Sequence, residues 1–302
     1  MTNPVLSAII PTWNRAHLIG EAIESALSQR AGEVEVIVVD DGSTDDTVAL
    51  ITNNFGSRVR VLELETRRGP GAARNAGVLL ASGEFVAFLD SDDLWLPGKL
   101  DAELRVFAAS PEAIAVISDS ENFFEGESDP ASRFAQNGLL ATTDGRVLCV
   151  DDCDWLWTNS TISAQTSGII VRRKVLAQLG RTLFGEDVLC CEDWEFQLRL
   201  YHHGQVMVLP EIYSTVRRFN DGSRIGRGIP GRPLTTDHEI TLLRARLTII
   251  ERSRPWLRGV RADLVAELER FRAETEARLA EVSLTNSEFS RKGAKAQRYA
   301  AV

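Results

Sequence analysis

The chain has 302 residues, 44% of them hydrophobic and 25% charged, which suffices for a large domain, alone or with an appendage, and excludes wholesale disorder. With 34 Lys plus Arg against 43 Asp plus Glu, its net charge of −9 makes it a poor non-specific binder of nucleic acid. No apolar run approaches the ~18 residues of a membrane span, and no basic stretch precedes an apolar core at the N-terminus, so a soluble cytoplasmic protein is expected. Cys149, Cys153, Cys190 and Cys191 form no CxxC pair and read as reduced structural thiols.

In chain order, β-rich runs alternate with amphipathic segments: strand Leu6–Ile10, helix Leu18–Leu27, strand Val34–Val39, helix Asp46–Ile51, strand Val59–Leu62, helix Ala72–Leu80 and strand Phe85–Leu89. This rhythm predicts βαβ units, hence an α/β fold with a mostly parallel sheet flanked by helices. Such sheets bind ligands at the carboxyl ends of their strands, and three loops there are strongly polar: Pro11–Arg15, Asp40–Asp46 and Asp90–Asp93. From residue 119 to about 165 the alternation gives way to Gly, Ser, Asp and Trp, which reads as an insertion or loops over one sheet face. Order returns with strand Gly168–Val171, helices Arg173–Leu179 and Glu192–Tyr201, and strand Val206–Leu209. The Gly- and Arg-rich stretch Arg217–Pro233 reads as a mobile loop.

From about Thr236 the composition shifts to Ala, Glu, Arg and Leu, with Leu257, Val260, Leu264, Leu268, Phe271, Leu279 and Val282 at helical spacing. Basic residues outnumber acidic ones 13 to 10 from residue 237 onward, against a strongly acidic remainder. The apolar stripe must be covered, by the preceding domain of its own chain, by a second copy or by an anionic membrane surface. Glutamates 267, 269, 274 and 276 among the arginines favour protein contact, so the expectation is a homodimer through this helix, with peripheral membrane contact as the alternative.

Two strands end on carboxylates. Glu35–Asp40 runs into Asp41, Gly42 and a Ser/Thr/Asp cluster, where Asp41 could accept hydrogen bonds from a base or ribose; the same cluster also serves as turn and helix-cap chemistry. Phe85–Leu89 opens into Asp90, Ser91, Asp92 and Asp93, whose carboxylates at i and i+2 can share a hard divalent cation, or form a solvated acidic loop, and a helix is expected to begin at Leu94–Pro97. Gly69–Gly77 offers a GxG, but after the third strand and with Arg74 in place of a third glycine, so it is not a dinucleotide fingerprint. Arg74 there can point a planar donor into the cleft or lie on a helix surface. Glu192 and Asp193 open a helix, where acidic residues suit the dipole and one can also serve as general base.

The ordered set Ser7–Arg15, Val38–Ser43, Gly71–Gly77, Asp90–Asp92 and Glu192–Asp193 resembles family 2 inverting nucleotide-sugar glycosyltransferases of GT-A fold, over roughly residues 5 to 220. The resemblance implies that Pro11, Thr12, Trp13 and Asn14 form the first nucleotide loop, with Trp13 keeping an aromatic face for a base. It implies that Asp41 reads the base edge and that Arg74 and Asp90 contact the nucleotide. It assigns Asp92 to Mg2+ or Mn2+ and Asp193 to the base. Glu192, Trp155 and Trp157 are candidates for the donor sugar or acceptor, although both tryptophans could equally be packing residues. The implied partners are a nucleotide-sugar donor, UDP-linked foremost, and a sugar or glycoconjugate acceptor, in surface polysaccharide assembly or with a natural product or protein as acceptor. Where the family often carries a His after an Arg, this chain reads Val216-Arg-Arg-Phe-Asn220, which leaves a third metal ligand unassigned. The implied organisation is a transferase domain over 1–235, with a nucleotide-binding half at 1–118 and an acceptor half at 119–235. A helical appendage follows over 236–284 and a disordered basic tail over 285–302. Two rivals stay open: a sugar-phosphate nucleotidyltransferase, which would show a Gly-rich basic loop near the first strand, and a non-catalytic nucleotide-sugar binding protein.

Overall fold

The computed structural model describes residues 4–124, 127–129, 132–136, 146–150, 165–180, 182–188, 190–218, 235–257, 265–266 and 268–284. The chain divides into two compact units, Met1–Glu186 with Glu192–Phe219, and Asp187–Cys191 with Asn220–Val302.

In the first unit the strands are β1 (Leu6–Thr12), β2 (Val34–Asp40), β3 (Val59–Glu63), β4 (Phe85–Phe88), β5 (Leu94–Trp95), β6 (Ala115–Phe124), β7 (Glu127–Asp129), β8 (Leu148–Val150), β9 (Ile169–Arg172) and β10 (Val206–Arg218). They form one sheet in the order β3-β2-β1-β4-β9-β6-β10-β5, with β7 on β6 and β8 on β10. Strands β3, β2, β1 and β4 pair in parallel, as do β6 and β10, whereas β9 runs antiparallel to both β4 and β6. All seven residues of β1 and the last five of β2 are buried, as expected of strands covered on both faces.

The helices follow their apolar spacing. In α1 (Ile19–Leu27) the buried residues are Ile19, Ala22, Ile23 and Ala26, one stripe at i, i+3, i+4 and i+7. After α2 (Thr47–Phe55) comes α3 (Pro70–Leu80), which starts with Pro70 behind Gly69 at φ 92°. Gly77 lets α3 lie tight on β1, since a Cβ there would stand 2.5 Å from Ile9 Cγ2. Then α4 (Lys99–Ala109), the short α5 (Arg133–Gln136) and α6 (Arg173–Leu176) lead to α7 (Glu192–His203). Phe196 of α7 stacks on Phe184 at 4.4 Å and meets Phe88 of β4 edge-on at 5.5 Å, which fixes α7 to the sheet.

Three details depart from the expectations above. The region after 119 still holds strand, because β6 continues to Phe124. Leu94–Trp95 is a short strand, and the helix expected from there starts only at Lys99, after a left-handed Gly98. Finally, β10 passes through Pro210 with irregular register at Ile212 and reaches Arg218, so Arg217 and Arg218 are strand and not loop.

In the second unit, α8 (Thr236–Ser253) is capped by Thr235, whose hydroxyl accepts the His238 N–H, and α9 spans 268–284. Arg278 pairs with Glu239 at 2.8 Å and Arg272 with Glu251 at 2.9 Å, joining α9 to α8. Leu268 and Val282 are buried, so part of the apolar stripe is covered within the chain itself. Cys190 packs with Leu242 and Ala245 of α8, and Asp187 pairs with Arg252. Among the described residues no helix is long and apolar enough to cross a membrane.

Deep in the first unit Lys99 and Glu103, each about 1% exposed, form an ion pair, with Ser118 donating to Glu103 at 2.9 Å. Burial lowers the Lys99 pKa and raises that of Glu103, each opposed by the partner's charge. Lys99→Met is expected to cost about 3–5 kcal/mol by stranding the carboxylate, whereas Lys99→Met with Glu103→Leu recovers most of it. Urea unfolding of both variants checks this; equal losses would show that packing, not charge pairing, sets the cost.

Candidate active site

The ends of β1, β2 and β4 lie at one edge of the sheet because these strands run in parallel. The antiparallel β9 brings its beginning, with Thr166–Gly168 just ahead of it, to the same edge. The far end of β10 arrives there too, since β10 runs parallel with β6.

The first loop is locked to the second. Asn14 adopts φ 52°, and its side chain accepts the Thr44 N–H at 2.7 Å while its own N–H donates to Ser43 at 2.8 Å. Trp13 is partly exposed, with the Arg67 guanidinium 3.4 Å from its ring centre. Pro11 and Thr12 are buried in β1, and the Thr12 carbonyl accepts the Asp41 N–H at 2.8 Å. Asp41 accepts the N–H of Arg68 and of Gly69, each at 2.7 Å, one per carboxylate oxygen. Its carboxylate therefore latches the turn entering α3, leaving further lone pairs for a ligand donor.

At the end of β4 the Asp93 N–H donates to the Asp90 carbonyl at 2.9 Å, closing a turn with Ser91 and Asp92 at its tip. Asp90, Asp92 and Asp93 each place a carboxylate oxygen within 4.8 Å of the others. Their environments differ. Asp93 accepts from the Ser167 hydroxyl at 2.6 Å and from the Arg217 N–H at 3.2 Å, so both its oxygens anchor the turn. Asp90 pairs with Arg74 at 2.6 Å, and Asp92 stands 3.9 Å from Arg15. An all-oxygen donor set of this size fits a hard divalent cation that keeps open positions for a diphosphate, and Asp92 with Asp90 would hold it.

Arg74 joins this turn to α7. It is 3% exposed, and its two terminal nitrogens bind Asp90 and, at 2.8 Å, Glu192. Burial opposes its charge, but the two carboxylates outweigh burial and push the guanidinium pKa up. Neighbouring Asn75 grips the approach to the helix: its side-chain oxygen accepts the N–H of Leu183 and Phe184, and its amide donates to the Phe184 carbonyl at 2.9 Å.

Beside Glu192, Asp193 accepts the Trp194 N–H at 2.8 Å. Burial, then the neighbouring Glu192 and Asp90 charges, push its pKa up to about 6, against the lowering pull of Arg74 and of that N–H. A carboxylate tuned upward in this way is a competent proton acceptor near neutrality.

The structure thus brings together Pro11, Thr12, Trp13, Asn14, Asp41, Arg74, Asp90, Asp92, Glu192 and Asp193 at one edge. Trp155 and Trp157 lie outside the described residues, as do the tail 285–302 and most of the loop expected over 217–233. Two contributors have no role assigned in the sequence analysis: Ser167, and Arg217 within the Val216–Asn220 stretch noted there. Their only signal is a polar residue just before one buried strand and one at the buried end of another.

Residues 7–175, more than half of the chain, match the family described as glycosyl transferase family 2. The chain belongs to that family. It is 44% identical over 113 residues to the succinoglycan biosynthesis protein ExoO of Rhizobium meliloti (strain 1021), covering 37% of this chain and 32% of that protein. It is 38% identical over 106 residues to WfgD of Escherichia coli, a UDP-Glc:alpha-D-GlcNAc-diphosphoundecaprenol beta-1,3-glucosyltransferase, covering 35% and 42%. The chain thus spans a third to under half of the length of these curated relatives. Among solved structures, S. aureus TarS 1-349 in complex with UDP-GlcNAc superposes with a TM-score of 0.61 at 23% identity, over 92% of this chain and 71% of that one. The mannosyltransferase PcManGT from Pyrobaculum calidifontis, in complex with GDP-Man and Mn2+, gives 0.62 at 19% identity, over 98% and 81%. The fold of this family 2 member is therefore GT-A, with a helical unit at its C-terminal end.

An aspartate whose pKa rises on folding holds its proton where the unfolded chain has lost it, so stability falls as pH climbs from 3.8 through about 6. Asp193→Asn removes that loss. The variant is expected to melt with the parent below the lower value and above it at pH 7, as thermal unfolding across pH will read. A difference that does not change with pH would mean that Asp193 is not the strained carboxyl.

Proposed function

We propose that this chain is a metal-dependent inverting glycosyltransferase, moving a sugar from a nucleotide diphosphate to a hydroxyl acceptor in the assembly of surface polysaccharide or a glycoconjugate. The observation that carries the proposal is the bridge Asp90–Arg74–Glu192, which sets a diphosphate-side carboxylate turn beside a carboxylate of raised pKa. A UDP-linked donor and a lipid-linked acceptor are supported by what WfgD is named for, and UDP again by the TarS complexes. The GDP-Man bound to PcManGT makes GDP-sugars the next donors to assay. A lipid-linked acceptor would place the protein at the inner membrane face by peripheral contact.

Asp193 takes the proton of the acceptor hydroxyl as that oxygen attacks the anomeric carbon. The bond from that carbon to the diphosphate oxygen breaks with its electron pair leaving on the diphosphate, and the anomeric configuration inverts. A divalent cation held by Asp92 and Asp90 would supply Lewis-acid neutralisation of the departing charge. Arg74 keeps donor side and base side in register, and Trp13 offers a ring face to the nucleobase.

Asp193→Asn is expected to lower sugar transfer by about 10² or more while UDP binding in the presence of Mn2+ stays near parental, because the amide matches the carboxylate in size but accepts no proton. Asp92→Asn and excess EDTA should each abolish turnover. A panel of UDP- and GDP-sugars scored for nucleotide release, beside calorimetry with UDP, checks all three. Full turnover in EDTA would overturn metal dependence, and lost UDP binding in Asp193→Asn would move that residue to the donor site.

A further inference from the structure

The acidic turn is held from two sides by residues to which the resemblance assigns no role. Arg217, 6% exposed near the end of β10, donates its backbone N–H to Asp93 at 3.2 Å and its side-chain Nε to the Asp92 carbonyl at 2.6 Å. The far end of its guanidinium reaches the Glu21 carboxylate and, at 3.4 Å, the Leu18 carbonyl at the start of α1. On the other side Ser167, fully buried, accepts the Asp90 N–H at 3.2 Å and donates to Asp93 at 2.6 Å. The Ser167 carbonyl is itself fixed by the Trp95 indole N–H at 2.8 Å.

These contacts do more than bury polar groups. The Asp92 carbonyl belongs to the Asp92–Asp93 peptide, so Nε orients the plane from which the Asp92 side chain departs. The Asp90 N–H fixes the opposite shoulder of the same four-residue turn. Asp93, spent on Ser167 and Arg217, serves as the internal post to which both are tied. Three carboxylates packed this closely repel one another, and a guanidinium against the turn's backbone offsets part of that repulsion.

We infer that Arg217 and Ser167 are positioning residues that clamp the acidic turn, presetting the Asp92 carboxylate for a divalent cation and so standing in for the orienting contacts that metal ligands require. The inference rests on the proposal that this turn holds the cation. Residues that orient a ligand without touching the metal change affinity by 10- to 100-fold when removed.

The test uses the full chain and Mn2+ as MnCl2, alone and with UDP, read by the loss of the free-ion electron paramagnetic resonance signal. Arg217→Gln is expected to weaken Mn2+ binding about 10-fold. It should raise the Mn2+ concentration for half-maximal nucleotide release by the same factor, with the rate at saturating Mn2+ within about two-fold of the parent. Arg217→Lys, which keeps a donor and the charge, should restore much of the affinity. Ser167→Ala supplies a second reading, with a similar loss, should Arg217→Gln fail to fold. Thermal midpoints accompany each variant, because a purely structural role would lower stability and leave the Mn2+ dependence of the folded fraction unchanged; that result in a folded Arg217 or Ser167 variant overturns the inference. Asp92→Asn is run alongside. Its binding Mn2+ as the parent does would overturn the cation site itself, whereas loss there with unchanged Arg217 and Ser167 variants would overturn only the clamp.

Discussion

A guanidinium with 3% exposure has to be neutralised where it sits, and Arg74 is neutralised by two carboxylates, one of them 118 residues away in sequence. That requirement couples the site's two halves. Asp90 belongs to the turn after β4, and Glu192 begins α7; neither strand pairing nor helix packing alone would hold their side chains in one place. Removing either carboxylate leaves Arg74 part-paired in a medium where an uncompensated charge costs several kcal/mol, so the arrangement resists drift. The fixed point also lies one residue from Asp193, so in the proposed reaction the same ion pair would constrain where the acceptor's proton is taken.

The surroundings of that pair explain why neighbouring carboxylates serve different ends. Asp93 and Asp41 both brace loops, the first through Ser167 and Arg217, the second through the N–H groups of Arg68 and Gly69, which leave each Asp41 oxygen a further lone pair. Among the described residues Asp193 accepts only from Trp194, and burial together with two acidic neighbours raises its pKa. Function in such a cluster follows from what remains after the backbone has taken its share, and the count of carboxylates in a motif does not reveal it.

Much of this was legible in the sequence where local patterns suffice. The strand and helix rhythm to Phe88, the carboxyl-end loops and the acidic openings of the turn and of α7 all sit where apolar spacing and strand polarity put them. What stayed hidden depends on non-local pairing. The extension of β10 past Pro210 is masked because a proline ordinarily ends a central strand, and the irregular register at Ile212 that tolerates it has no local signature. Ser167 gains its place only because β9 runs antiparallel between β4 and β6, a topological fact that no residue near 167 announces. Arg217, read as the start of a loop, is instead buried at the end of β10 against the acidic turn and the start of α1. The stripe in α9 raised the question of a partner, and Arg272 and Arg278 answer part of it within the chain by reaching α8.

The overall charge of −9 would suggest an unfriendly surface for a diphosphate, which is itself an anion. Charges farther than about 8–10 Å are largely screened at physiological salt, so the excess acid elsewhere on the chain carries little weight at the site. What counts there is local, and among the described residues Arg15, Arg74 and Arg217 each approach a different part of the acidic turn: the Asp92 carboxylate, the Asp90 carboxylate and the Asp92 carbonyl. Two of them are tied down by acids on the far side, Glu192 for Arg74 and Glu21 for Arg217, so they hold the turn in place without being free to migrate into it. Acidic groups that, in the proposed reaction, would face a cation and an incoming phosphate stay close together when their mutual repulsion is met from behind. Guanidiniums do this better than ammonium groups because a planar fork can bind the turn with one edge and an anchoring carboxylate with the other.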